Sequence, residues 1–131
     1  MCPIRIAGRG ALSNSARDGL RPEGRIVSLD AMLTHVVLFW TKPEIADATE
    51  RLVAGMHKYL GPIPGVRGFH IGKMVASPRP VVDSTYQVGL MIQVDDKAAE
   101  AAYQEHPLHK QFLEEVFKPC CDRVRVYDFA D

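Results

Sequence analysis

The stretch LTHVVLFW, residues 33–40, is apolar on both of its faces, and this constrains the fold more than any other feature of the chain. Its β-branched and aromatic content marks a strand. Side chains alternate across a strand, so His35, Val37 and Phe39 point one way and Thr34, Val36, Leu38 and Trp40 the other. A sheet with helices on one face normally offers water a polar face on the other. Here Val36, Leu38 and Trp40 would stand exposed, at a cost of about 1.5–3 kcal/mol for each large apolar side chain. A second sheet removes that cost, and its simplest source is another copy of the chain, packed face to face about a two-fold axis. Val36, Leu38 and Trp40 are therefore the expected homodimer interface.

The rest of the pattern supplies the other elements. Pro43 can open a helix, and residues 44–60 place Ile45, Ala48, Leu52, Met56, Tyr59 and Leu60 near one face, before Gly61 and Pro62 stop it. Residues 66–76 read as a second strand and SPRPVVDS as a loop. Residues 85–94 read as a third strand with Tyr86, Val88, Leu90, Ile92 and Val94 on one side. Asp95 or Asp96 caps the helix KAAEAAYQ. HPLHKQFLEEVF forms a further helix, with His109, Phe112, Leu113, Val116 and Phe117 on one stripe. Pro119 ends it, and CDRVRVYDF is the last strand. The order β-α-β-β-α-β, with its second helical part broken in two, predicts an α+β fold of ferredoxin-like type with a four-stranded antiparallel sheet.

Residues 1–31 share none of this periodicity. They mix Gly, Ser, Arg and Pro, lack the apolar run of a secretory signal, and are expected to be a disordered N-terminal extension of a domain spanning 32–131. Lys plus Arg and Asp plus Glu both number 16, so no basic surface points to nucleic acid. No apolar run approaches the ~20 residues that span a bilayer. Cys2 lies far from the adjacent pair Cys120 and Cys121, which does not form a disulfide framework. Reduced thiols and a cytoplasmic location are the expectation.

The stretch YQEHPLHKQF, residues 103–112, holds the chemistry. Pro107 suits the first position of a helix, which makes His106 the cap and puts His109 in the first turn. The positive end of the helix dipole disfavours a proton on His109, leaving a neutral imidazole able to act as a general base. His109 also begins the apolar stripe and faces inward. A buried histidine hydrogen-bonded to backbone or to Tyr103 satisfies the same pattern. His35, in phase with Val37 and Phe39, can approach His109 across the space between sheet and helix. Tyr103 belongs to the same region, and Val37, Phe39, Val88 and Phe112 are expected to line it. His106 and His109 are spaced for chelation, but no third imidazole or carboxylate stands at a matching spacing, so neither metal nor cofactor is expected. IPGVRGFHIGK has glycines without phosphate-loop spacing.

THVVLFWTKP, IPGVRGFHIGK and AYQEHPLHKQF, followed by VRVYDF, are together similar to the stress-responsive A/B barrel family, Dabb, over about the last hundred residues. The resemblance implies a dimeric α+β barrel of two ferredoxin-like sheets. It further implies a small binding or protective module. Such a module is expected to pair with itself and to take a small apolar or aromatic molecule; an alternative is a cofactor-independent enzyme resembling a plant polyketide cyclase of this fold, acting on an aromatic or polyketide-like carbonyl compound. Its strand histidine, helix tyrosine and catalytic histidine correspond to His35, Tyr103 and His109, with His109 as general base. Val88 stands where that cyclase carries a further pocket histidine. A cofactor-free monooxygenase shares the architecture, but no motif here marks oxygen chemistry.

Overall fold

The computed structural model of the protein describes residues 32–131, so the expectation of disorder for residues 1–31 falls outside the described residues. Strand β1 (Leu33–Thr41) leads through a turn to helix α1 (Ala48–Gly55), which continues as one π-helical turn, Met56–Leu60. Strands β2 (Gly68–Lys73) and β3 (Val88–Val94) follow. Helix α2 (Lys97–Glu105) abuts α3 (Pro107–Phe112), which runs on through a π-helical turn, Leu113–Phe117, and a last turn, Lys118–Cys120. Strand β4 (Cys121–Ala130) closes the chain. The sheet is antiparallel in the order β2-β3-β1-β4, the ferredoxin-like arrangement.

The first face of β1 is buried as its alternation requires: Leu33, His35, Val37 and Phe39 are each under 8% exposed. Val88, Leu90, Ile92 and Val94 of β3 join them, and Leu52, Met56, Leu60, Phe112 and Val116 pack down from the helices. Each fully buried side chain of this size contributes about 1.5–3 kcal/mol. Asp96 caps α2, its carboxylate accepting from the Ala99 N–H at 2.8 Å. Asp95 pairs instead with Arg67. Gly65 takes φ +91° in the turn before β2, a left-handed position that suits glycine. No helix among the described residues is long and apolar enough to cross a membrane.

Several element boundaries differ from the sequence pattern. Strand β2, expected over 66–76, spans Gly68–Lys73. Helix α1 begins at Ala48, not at Pro43, because residues 43–47 form turns that bring Ile45 against the core. Strand β3 begins at Val88. Tyr86 therefore leaves the Val88 side, and its ring meets Trp40 edge-on at 6.2 Å on the opposite face. Pro119 lies inside the last helical turn, near its start, where a missing N–H is tolerated.

The second face of the sheet carries no helix. Thr34, Val36, Leu38 and Trp40 are half-buried there. Trp40 is shielded by Arg123, whose guanidinium sits 4.1 Å from the ring centre, and by a hydrogen bond from its Nε1 to Thr85. The most exposed apolar groups of this face are instead on the edge strand. Tyr127 and Phe129, opposite Val36 and Thr34, are 51% and 62% exposed.

Candidate functional site

On the helix face, α2 and α3 leave β4 uncovered, and a half-open cleft of about 190 Å³ lies between them and β1. Its walls are Val37, Phe39, Leu60, Leu90, Phe112, Leu113 and Phe117, with Val124 and Val126 at the edge strand. His35, Tyr103, Gln104 and His109 are the polar groups that reach it. Of the four expected lining residues, Val37, Phe39 and Phe112 are present. Val88 is not: it pairs with Phe39, is fully buried in the core, and Leu90, opposite Val37, takes its place.

His106 adopts extended backbone between α2 and α3, and its Nδ1 accepts the Leu108 N–H at 3.1 Å. Pro107 is thus the first helical residue. That break turns α3 so that His109 faces Tyr103, with ring centres 5.0 Å apart and edge-to-face. The Tyr103 ring meets His35 in the same manner at 6.2 Å. The three residues singled out from sequence are brought together in a row: His35, Tyr103, His109.

Their hydrogen bonding is unequal. His35 is satisfied: its Nδ1 lies 2.5 Å from Asp128 Oδ1. A carboxylate only accepts, so Nδ1 carries the hydrogen and Nε2 offers its lone pair toward the Gln104 amide nitrogen, 3.5 Å away. The same amide donates to Glu100 at 2.9 Å. By contrast, the Tyr103 hydroxyl and His109 Nδ1 are buried and have no hydrogen-bond partner. Burial holds the His109 pKa below the ordinary imidazole value, assisted by His35 and opposed by Glu100. Burial, with the charge of Glu100, holds the Tyr103 phenol well above its ordinary value. His109 is thereby kept neutral and Tyr103 protonated near pH 7.

Sequence reading missed Asp128, Glu100 and Gln104. Asp128 had a signal: it follows Val124 and Val126 in the same alternating phase of β4 and breaks their apolar run. Glu100 lies one helical turn before Tyr103, on the same inward stripe. His57 and His70 take no part; both are exposed, and His70 lines a shallow depression on the other face of the sheet.

Comparison with known proteins bears on these features. No curated protein matches the chain. Among solved structures, a Dabb-family protein with a ferredoxin-like fold from Mesorhizobium loti is 25% identical, with a TM-score of 0.63 over 77% of this chain and 97% of that one. A dimeric ferredoxin-like protein of unknown function from Thermobifida fusca is 19% identical, with a TM-score of 0.65 over 82% of this chain and 97% of that one. The hydroxynitrile lyase of Passiflora edulis shares the fold at 15% identity, with a TM-score of 0.62 over 78% of this chain and 94% of that one. The family model of the Stress responsive A/B Barrel Domain, Dabb, matches residues 33–131, and the chain belongs to that family.

Proposed function

We propose that this Dabb protein is a cytoplasmic, homodimeric binding module whose cleft takes a small apolar or aromatic molecule bearing a carbonyl or hydroxyl oxygen. The observation that carries this reading is the pair of unpartnered buried atoms, Tyr103 Oη and His109 Nδ1, on residues that line a mostly apolar cleft. Each unsatisfied buried polar group costs about 1–3 kcal/mol, which a ligand oxygen beside them recovers. At about 190 Å³ the cleft is below the ~300 Å³ lower bound of drug-sized sites, so the ligand is small. The homodimer is supported by the uncovered apolar face of the sheet and by the dimeric neighbour from Thermobifida fusca. The free, buried Cys120 and Cys121 suit a reducing compartment.

A second reading, acid–base catalysis, is favoured by the opposite displacement of two neighbouring groups. His109 is held as a free base and Tyr103 as an acid. In that reading Tyr103 donates to a carbonyl oxygen while His109 removes a proton from the adjacent carbon, giving an enol that can close a ring. The hydroxynitrile lyase shares only the fold, and fits this reading as a relative with an activity of its own.

The test is a titration of the isotope-labelled full chain with aromatic aldehydes, ketones and phenols, followed by amide NMR shifts. Shifts centred on Tyr103 and His109, lost in Tyr103→Phe and His109→Ala, are expected. Shifts confined to another surface contradict the reading.

A further inference from the structure

Around His35, which lines the cleft, three elements converge on one nitrogen atom. The Nδ1 of His35, on β1, lies 2.5 Å from Asp128 Oδ1 of β4 and 3.9 Å from Glu100 Oε2 of α2. All three donor atoms fall within 4.8 Å of one another. Nδ1 carries at most one hydrogen, so it bridges to one carboxylate and leaves the other without a proton between them. Glu100 is only 9% exposed, and its closest hydrogen bond is from a neutral amide, Gln104. Among the described residues, no lysine or arginine pairs with Glu100 or Asp128. The cluster thus gathers two carboxylates around, at most, one positive charge. An uncompensated buried carboxylate is costly, and buried charges are otherwise paired or bound to metal.

We infer that His35, Glu100 and Asp128 form a binding site for a divalent transition-metal ion of the zinc class. An imidazole with two carboxylates is a donor set that suits zinc-like ions better than magnesium or calcium, which prefer all-oxygen shells. Ligand distances of about 2.1 Å in a tetrahedral shell put donor atoms roughly 3.4 Å apart. The observed 2.5 Å and 3.9 Å contacts straddle that spacing. Asp128, whose side chain is 36% exposed on the edge strand, is free to open the shorter contact and gives an ion its route from solvent. With Nδ1 on the metal, the imidazole proton moves to Nε2, while the Gln104 amide keeps its hydrogen bond to the Glu100 carboxylate at 2.9 Å. Such an outer partner for a ligating carboxylate is a regular feature of metal sites.

A second observation points to the same place. Tyr103, one turn beyond Glu100 on α2, is 2% exposed, stands edge-on to the His35 ring, and has a hydroxyl without any partner. Three protein ligands leave a fourth position for water, and Tyr103, whose ring meets that of His35, is an unpartnered donor that such a water could serve. Sequence spacing hides the site because its ligands come from three separate elements, His35 and Asp128 joined by the β1–β4 register and Glu100 brought in by the packing of α2.

The metal site shares only the unpartnered Tyr103 hydroxyl with the ligand reading above, and cobalt binding is measured with no organic ligand present, so either can fail without the other. Full-length protein, stripped with a chelator, is titrated with cobalt(II) and followed by visible d–d absorption, with zinc titrated by calorimetry. One ion per chain is expected, with the cobalt spectrum of a low-coordinate nitrogen–oxygen site. Glu100→Gln and Asp128→Asn keep shape and remove charge. Each is expected to weaken cobalt binding at least tenfold while circular dichroism stays unchanged. Absence of binding by the wild-type chain overturns the inference. So does equal affinity in both variants, which assigns the ion to other groups such as His57, His106 or Cys120.

Discussion

Tyr103 carries a hydroxyl that its own fold does not satisfy, and this makes a sharp expectation for its removal. In the ligand-free protein, Tyr103→Phe deletes an unpaired buried group, so stability is expected to rise by about 1 kcal/mol rather than fall. Urea denaturation compares the two proteins directly; a loss of stability shows that the hydroxyl has a partner in solution. His109 gives an expectation in pH. Burial depresses its folded pKa below the ordinary value of 6.5. Between the two values the unfolded chain therefore binds more protons than the folded one, and stability falls as pH falls. The contribution is complete above about pH 6.5 and is lost below it. Thermal melts from pH 7.5 to 5 are expected to show this decline, and His109→Gln to flatten it. At this scale much of the site was legible. Pro107 located the helix start, and the apolar stripe turned His109 inward. Asp128 was not legible as a partner of His35, because that contact depends on the β1–β4 register, in which His35 faces Asp128.

Helix α1 and the π-helical turn that follows α3 meet at a point where size matters most. A Cβ on Gly55 would lie 2.6 Å from both γ-methyls of Val116, whose β-branched side chain has little freedom to retreat. Gly55→Ala is therefore expected to force the helices apart and cost about 1–3 kcal/mol, even though alanine is the better helix former. A neutral or stabilising result from chemical denaturation means the helices are not packed this closely. Nearby, the Tyr59 hydroxyl donates to Glu115 at 2.6 Å and ties the two helices across their π-helical turns. Strand and helix order followed from period alone, since alternation and 3.6-residue spacing separate cleanly in this chain. The ends did not. Pro43 and Pro119 both look like boundaries, yet one sits ahead of its helix by a turn and the other inside the last turn, where local proline rules allow either. The π-helical turns have no sequence signature.

For the whole molecule, the decisive feature is the face that no helix covers. Its apolar character was legible in β1, where Val36, Leu38 and Trp40 alternate with the core residues. The distribution of exposure was not. Arg123 and Thr85 shelter Trp40, while Tyr127 and Phe129 carry the larger exposed area on the edge strand. The ten-residue edge strand exposes Val124, Val126, Tyr127 and Phe129 between its charged residues, and on the helix-free face Tyr127 and Phe129 are the groups another chain would cover. A second copy laid across the sheet covers Val36, Leu38, Tyr127 and Phe129 together. The most direct test is sedimentation equilibrium of the full chain at micromolar concentration, with Leu38→Arg and Tyr127→Glu alongside it. A wild-type mass twice that of the chain, falling toward a single chain in both variants, is the expected result. A wild-type protein that stays monomeric and soluble across that range contradicts it.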